Sequence, residues 1–242
     1  MIKDKKKDYI RLNRYLSNAG ISSRREADKL IQSGVIEVNG KSIYQLGTIV
    51  HKNDIIKYHG RKIKHQKKIY LLLNKPKGFI TSTKDPLNRK TVMNLIPKFS
   101  NYRIYPIGRL DRLTTGVLLF TNDGLITEKL THPKYHVKKI YHVFLNKNLE
   151  YEDINKIKKG KIYLKEGKVK VDFIYKSKNK IIIGLHLGWN RIIKRLFKKL
   201  TYQVIKIDRV NFGGFTKKNI PIGNWCFLNE KEVYHKLINH FL

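Results

Sequence analysis

Apolar positions follow a helical period near the start of the chain and short, strand-like runs over most of the rest. Leu12, Tyr15, Leu16 and Ala19 fall at i, i+3, i+4 and i+7, which gathers them on one side of a short helix that Gly20 stops. Ser23 followed by Glu26 has the form of a capping box, and Ala27, Leu30 and Ile31 give a second helix its buried side until Gly34. Val35 to Val38, the Asn39-Gly40 pair and Lys41 to Ile43 then read as a hairpin over a tight primed turn. Ile55, Ile56 and Tyr58 supply another strand, so residues 9–61 form a small α+β module.

From His59 to Lys68 the chain is dominated by Lys, Arg and His with little to bury, so 62–68 is expected to be a basic linker. A larger domain, 69–242, begins at Ile69. Its apolar runs, Ile69 to Leu73, Val117 to Phe120, Tyr141 to Phe144, Val169 to Tyr175, Ile181 to Leu187 and Val204 to Ile207, have strand lengths. Helical spacing returns at Leu125 to Leu130, at Ile154 to Ile157, and in Ile192, Ile193, Leu196, Phe197 and Leu200. The fold class is α+β, with a mixed, mainly antiparallel sheet in the larger domain.

Charge narrows the partners. Of 242 residues, 52 are Lys or Arg and 18 Asp or Glu, a formal charge of +34 that calls for a polyanion. AT-rich coding also favours Lys, so the charge supports nucleic acid without proving it. No run of about 18 apolar residues and no basic amphipathic helix with a Trp or Phe stripe is present, which argues against a membrane. The charged start lacks an apolar h-region and the lone Cys226 has no partner within the chain, so a cytosolic protein is expected.

Several chemistries fail on spacing. Gly160 and Gly167-Lys168 do not make a phosphate loop, because Val169 stands where Ser or Thr should hold magnesium. No G-x-S-x-G elbow or G-x-G-x-x-G turn occurs, and Pro133 interrupts His132 and His136, the nearest approach to metal-ligand spacing. Neither a metal nor a cofactor is expected. The densest polar stretch runs from Pro106 to Gly116, between two strands, where a loop presents side chains at the rim of a sheet. Asp111 has Arg109 and Arg112 beside it, which favours an ionised carboxylate usable as a nucleophile. A loop Asp also commonly caps nearby amides, here those of Thr114 or Thr115, or makes a surface ion pair.

Longer strings carry a resemblance. Arg11 to Leu16, Ser22 to Ala27 and Val35 to Gly40 resemble the S4 RNA-binding domain. That likeness implies docking on structured RNA through the two helices, with Arg11, Arg14, Arg24, Arg25 and Lys29 towards phosphates; the plainer alternative is a solvated charged face. Gly108 to Asp111 followed by Thr114 to Gly124 is similar to the signature of the RsuA/RluB family of ribosomal RNA pseudouridine synthases, closest to the RluB branch. Leu73 to Gly78, Lys139 to Val143, Asn190 to Phe197 and Asp208 to Val210 agree in order.

What this resemblance implies is a cofactor-free isomerisation of uridine to pseudouridine in ribosomal RNA of the large subunit. Asp111 matches the catalytic aspartate that attacks ribose C1′ or otherwise breaks the glycosidic bond, after which uracil turns and rejoins through C5. Tyr141 matches the tyrosine that stacks on uracil, and Lys194 the basic residue that pairs with the aspartate. Arg109 matches the arginine that helps extrude the nucleotide. Arg112, Lys75, Lys77, Arg191 and Arg195 are further candidate RNA contacts. Without the likeness, Tyr141 reads as strand packing, the α-helical cations as solvated charge, and Lys75 and Lys77 as residues flanking a turn at Pro76. One departure stands out: Leu187-Gly188-Trp189-Asn190-Arg191-Ile192 lacks the family's Glu-Gly-Arg before its Asn-Arg-Gln, and Trp189 offers a stacking surface instead of a charge. The expected partner is ribosomal RNA or a ribosomal-subunit precursor bound by a monomer. The alternatives are a non-catalytic S4-type ribosome-assembly factor and a metal-free RNA hydrolase, the latter lacking a second acid or base beside Asp111.

Overall fold

The first strand, β1 (Tyr9–Arg11), leads directly into α1 (Leu12–Asn18), whose Leu12 and Leu16 are fully buried together with Ala27 of α2 (Arg24–Gln32). The capping box forms: the Ser23 hydroxyl accepts from the Glu26 amide and the Glu26 carboxylate from the Ser23 amide. Asn13 Nδ2 donates to Asp28 Oδ1 at 2.9 Å and ties the two helices side by side. Next come β2 (Ile36–Val38), β3 (Lys41–Ser42), β4 (Ile49–His51), β5 (Ile56–Tyr58) and β6 (Arg61–Lys62); β4 pairs with β1, and the others form a sheet in the order β3-β2-β5-β6. Asn39 and Gly40 take the positive φ values that a primed turn needs, and His59-Gly60 repeats this between β5 and β6. The start of the expected linker is therefore corrected: Lys62 pairs with Lys57, and Ile63, 8 % exposed, closes the core against Leu12 and Ile56. One apolar side chain in a cationic stretch is enough to extend the sheet.

The computed structural model describes residues 8–64, 66–97 and 102–241, with side chains to Ile238. It divides into two units, Met1–Lys68 with Phe99–Arg103, and Ile69–Lys98 with Ile104–Leu242. The second unit contains β7 (Tyr70–Lys75), β8 (Tyr105–Ile107), β9 (Thr115–Thr121), α3 (Gly124–Thr131), β10 (Lys139–Leu145), α4 (Tyr151–Lys158) and a small hairpin, β11 (Tyr163–Leu164) with β12 (Gly167–Lys168). It continues with β13 (Phe173–Ser177), β14 (Lys180–Leu185), α5 (Ile192–Lys199), β15 (Val204–Phe212), β16 (Phe215–Thr216), β17 (Trp225–Phe227) and α6 (Glu230–Phe241). Among the described residues nine of these strands make one sheet in the order β13-β14-β10-β15-β9-β7-β17, with β16 on β15 and β8 on β9. Every pairing in it is antiparallel except β15 with β9.

Two apolar clusters hold this unit together. α4 and α5 cover β10, β13, β14 and β15 through Ile154, Ile157, Ile193, Leu196 and Phe197, while α3 and α6 cover β7 and β9 through Ile126, Leu130, Val233 and Leu237. At roughly 1.5–3 kcal/mol for each fully buried large aliphatic or aromatic side chain, these clusters fix the two halves of the sheet. The parallel seam between the halves is tight. A Cβ on Gly116 of β9 would stand 2.1 Å from the carbonyl oxygen of Arg209 on β15, so only glycine permits the approach. Among the described residues no helix is long and apolar enough to cross a membrane.

Candidate active site

The loop from Gly108 to Thr114, between β8 and β9, is held from beneath by a lysine. Lys75, at the end of β7 and fully buried, donates from Nζ to the carbonyls of Pro76 (3.0 Å), Asp111 (3.3 Å), Arg112 (3.4 Å) and Thr114 (3.0 Å). Burial pushes its pKa down to about 8 against the pull of the Asp111 charge. Thr81 Oγ1 donates to the Leu110 carbonyl at 2.8 Å, the Gly78 amide to that of Arg112 at 2.9 Å, and the Thr114 amide to that of Asp111 at 3.0 Å. Every backbone turn around Asp111 is thus tied down, and only its side chain, 38 % exposed, is left to face outwards.

That side chain enters a cleft of about 460 Å³ lined by Asp111, Tyr141, Trp189, Arg191, Lys194 and Arg209, among others. Lys194 Nζ lies 3.9 Å and Arg191 Nε 4.0 Å from Asp111 Oδ2. Both cations come from the first turn of α5 or its cap, which the apolar face of Ile192, Ile193, Leu196 and Phe197 anchors; Arg191 itself takes a left-handed φ of 48°. Across the cleft, Tyr141 on β10 is registered between Ile183 and Arg209. Arg209 is 2 % exposed, donates from Nε to the Val117 carbonyl at 2.8 Å, and is the cross-strand neighbour of Tyr141. Desolvation lowers its pKa, which the phenol partly offsets. A carboxylate flanked by two cations, opposite a tyrosine with a buried guanidinium beside it, can attack an electrophilic carbon while the tyrosine ring offers a stacking face.

Comparison with known proteins shows the family. A family model for RNA pseudouridylate synthase matches residues 69–207, and one for the S4 domain matches residues 10–56. The chain belongs to the RNA pseudouridine synthases. It is 37 % identical to the ribosomal large subunit pseudouridine synthase B of Bacillus subtilis, over 92 % of this chain and 93 % of that protein. It is 32 % identical to the dual-specificity RNA pseudouridine synthase RluF of Escherichia coli (strain K12), over 93 % of this chain and 77 % of that one. In fold it matches a crystal structure of a pseudouridylate synthase, TM-score 0.69 at 23 % identity, covering 94 % of this chain and 99 % of the other.

In this synthase the remaining candidate RNA contacts separate into groups. Arg109, Arg112 and Trp189 line the cleft, with both arginines exposed and Arg112 Nε donating to the Gly78 carbonyl at 3.3 Å. Lys77 is exposed but does not line it. Two expectations are corrected. Lys75 has no surface to offer a phosphate, because four carbonyls hold its ammonium inside the protein. Arg195 is engaged elsewhere by a bidentate pair with Glu166, at 2.7 and 2.8 Å, and does not line the cleft. In the small unit Arg11, Arg24, Arg25 and Lys29 are exposed and Arg14 is half-buried.

Sequence reasoning missed Arg209 and Lys139 as members of the site. Lys139 Nζ donates to the carbonyls of Val137 (3.1 Å) and His186 (2.8 Å), and its pKa is pushed down to about 8, first by burial and then by the charge of Arg209. The available signal was alternation: both residues sit on otherwise apolar strands at the inward phase shared with Tyr141. An inward cation on a strand is rare enough to be functional or structural by default.

Proposed function

We propose that this synthase isomerises a specific uridine of large-subunit ribosomal RNA to pseudouridine, in the cytosol and as a monomer, with Asp111 as the nucleophile. The observation that carries the proposal is the joint presence, in one cleft, of Asp111 paired with Lys194 and Arg191 and of Tyr141 backed by Arg209. The two cations draw the carboxylate towards α5. The target nucleotide leaves its stack, aided by Arg109 and Arg112 at the rim, and its base lies on the Tyr141 ring. Asp111 bonds to ribose C1′ as the bond to uracil N1 breaks, leaving negative charge on the base, which Lys139 and Arg209 behind Tyr141 stabilise in a desolvated wall. The base turns, C5 bonds to C1′ as the aspartyl bond breaks, the proton leaves C5 with help from Tyr141, and N1, freed from the sugar, takes up a proton in exchange, so that the two transfers cancel. No other reactant enters the balance.

The exposed arginines of the small unit grip phosphates of the same RNA, as its S4 match and the large-subunit substrate named for the Bacillus subtilis relative support. The test is to incubate ribosomal RNA with the protein and with its Asp111→Asn variant. Pseudouridine made by the first and lost in the second, with RNA binding intact, is the expected result. RNA bound by the unaltered protein without any pseudouridine would return the assembly-factor reading.

A further inference from the structure

Among the described residues the four strands β13, β14, β10 and β15 bury one face and leave the other open. On the buried face Ile181, Ile183 and Val143 are completely covered beneath α4 and α5, the face that also carries Tyr141 and Arg209. The alternate residues point the opposite way and none of the large ones is buried: Phe173, Tyr175, His142, Phe144, Lys180 and Lys206. Tyr175 is 64 % exposed, and its ring pairs with that of Phe173 at 5.5 Å and 38°. Lys206 Nζ sits 5.5 Å from the centre of the Phe144 ring, and Lys180 is registered beside Phe144 on the other side. The carboxylate of this face, Asp208, is taken by Lys217 at 2.7 Å from each oxygen. Burial, and next the charge of Lys180, hold the pKa of His142 below the ordinary histidine value, so at neutral pH it presents an uncharged ring.

We propose that this face binds a single-stranded segment of the RNA substrate, as a second contact area on the reverse of the sheet from the Asp111 cleft. Two things favour RNA over another occupant. Flat rings on β13 and β10, with β14 between them, suit unstacked bases, which bind aromatic side chains without regard to sequence. Lysines set between those rings, with the local acid neutralised, suit the phosphates that join the bases and repel a basic protein. The inference rests on the reading that the substrate is RNA, and adds where its flanking strand runs.

The test uses the full chain and two fragments of ribosomal RNA, a stem-loop containing the modified uridine and the same stem-loop with a single-stranded tail of about a dozen nucleotides. The unaltered protein should bind the tailed RNA more tightly. The Tyr175→Ala/Phe144→Ala double variant should lose about tenfold in affinity for the tailed RNA and less than about twofold for the stem-loop. Ultraviolet crosslinking of the unaltered protein, which needs no variant to fold, should attach tail bases to peptides of β13 or β10. Equal affinities for both RNAs with no such crosslink would overturn the proposal. So would a defect that appears only when ribosomal proteins are present, since the face would then take a protein. Pseudouridine is assayed in the same samples. Tail binding through this face without any pseudouridine would refute Asp111 chemistry and leave the platform standing, whereas pseudouridine formation with no tail effect would do the reverse.

Discussion

The two units of this chain use positive charge in opposite ways. In the small unit Arg24, Arg25 and Lys29 stand exposed on α2, whereas in the large unit Lys75 and Arg209 are buried, Lys139 is half-buried, and all three donate to backbone carbonyls. An exposed cation draws a polyanion from a distance and is screened by salt; a buried one is hardly screened and acts only on what touches it. Charge count therefore predicts a partner, while charge burial locates the chemistry. The sharpest break of this comparison is Arg209→Met. Removing a buried guanidinium that has no carboxylate partner relieves a desolvation cost and loses a hydrogen bond worth about 1 kcal/mol, so the melting temperature should change little. Loss of the support behind Tyr141 should lower kcat on the order of 100-fold with KM nearly constant. Arg209→Lys should rescue only part, because an ammonium does not reproduce the planar guanidinium that bonds the Val117 carbonyl beside Tyr141. A fall in stability matching the fall in kcat would reduce Arg209 to scaffold.

A second, smaller effect follows from Lys139. Its folded pKa of about 8 lies below the 10.5 of a free lysine, so between those values the unfolded chain holds more protons than the folded one. Stability contributed by this group therefore rises as pH increases through that window, and Lys75, also near 8, acts in the same direction. Activity should move the other way. If the Lys139 charge steadies the departing base, kcat declines above about pH 8 while the fold grows firmer. Lys139→Met should lower kcat at neutral pH, flatten that decline and reduce the pH slope of thermal stability. An identical profile in the variant would remove Lys139 from the reaction.

How much of this was legible depended on whether the signal was local. Ser23 and Glu26, Asn39-Gly40 and the Ile192 to Phe197 stripe announce their structures within a few residues, and each formed as its pattern implied. His59-Gly60 uses the same turn chemistry as Asn39-Gly40 but was obscured by surrounding lysines. The Val169 to Tyr175 run reads as one strand, yet its first half follows the β12 hairpin strand and only Phe173 onwards joins the main sheet. Among its described residues α6 offers Val233 and Leu237 to the core, and its Tyr234 hydroxyl reaches Asp123 from far along the chain, so periodicity barely marks it. The family motif points to Asp111, Tyr141 and Lys194, which line one cleft, without showing what supports them. Lys75 and Arg209 are invisible to propensity because a cation is expected at the surface, and their partners lie 36 and 92 residues away.

The gentlest test concerns the exposed set. Replacing Arg24, Arg25 and Lys29 together with Ala removes at most three phosphate contacts, so the slope of log affinity against log salt should become shallower by about 2 to 3. Affinity should drop at low salt and converge with that of the unaltered protein as salt rises, because screening has already removed what the substitutions delete. At saturating RNA, kcat should be unchanged, since these side chains touch no reacting atom. Arg209→Met provides the contrast: a guanidinium already sealed from solvent releases no counterions, so its loss should leave the salt slope where it was. A salt slope that responds to Arg209 and ignores α2 would invert the assignment, making the large unit the principal electrostatic anchor and the α2 cations an ordinary solvated face.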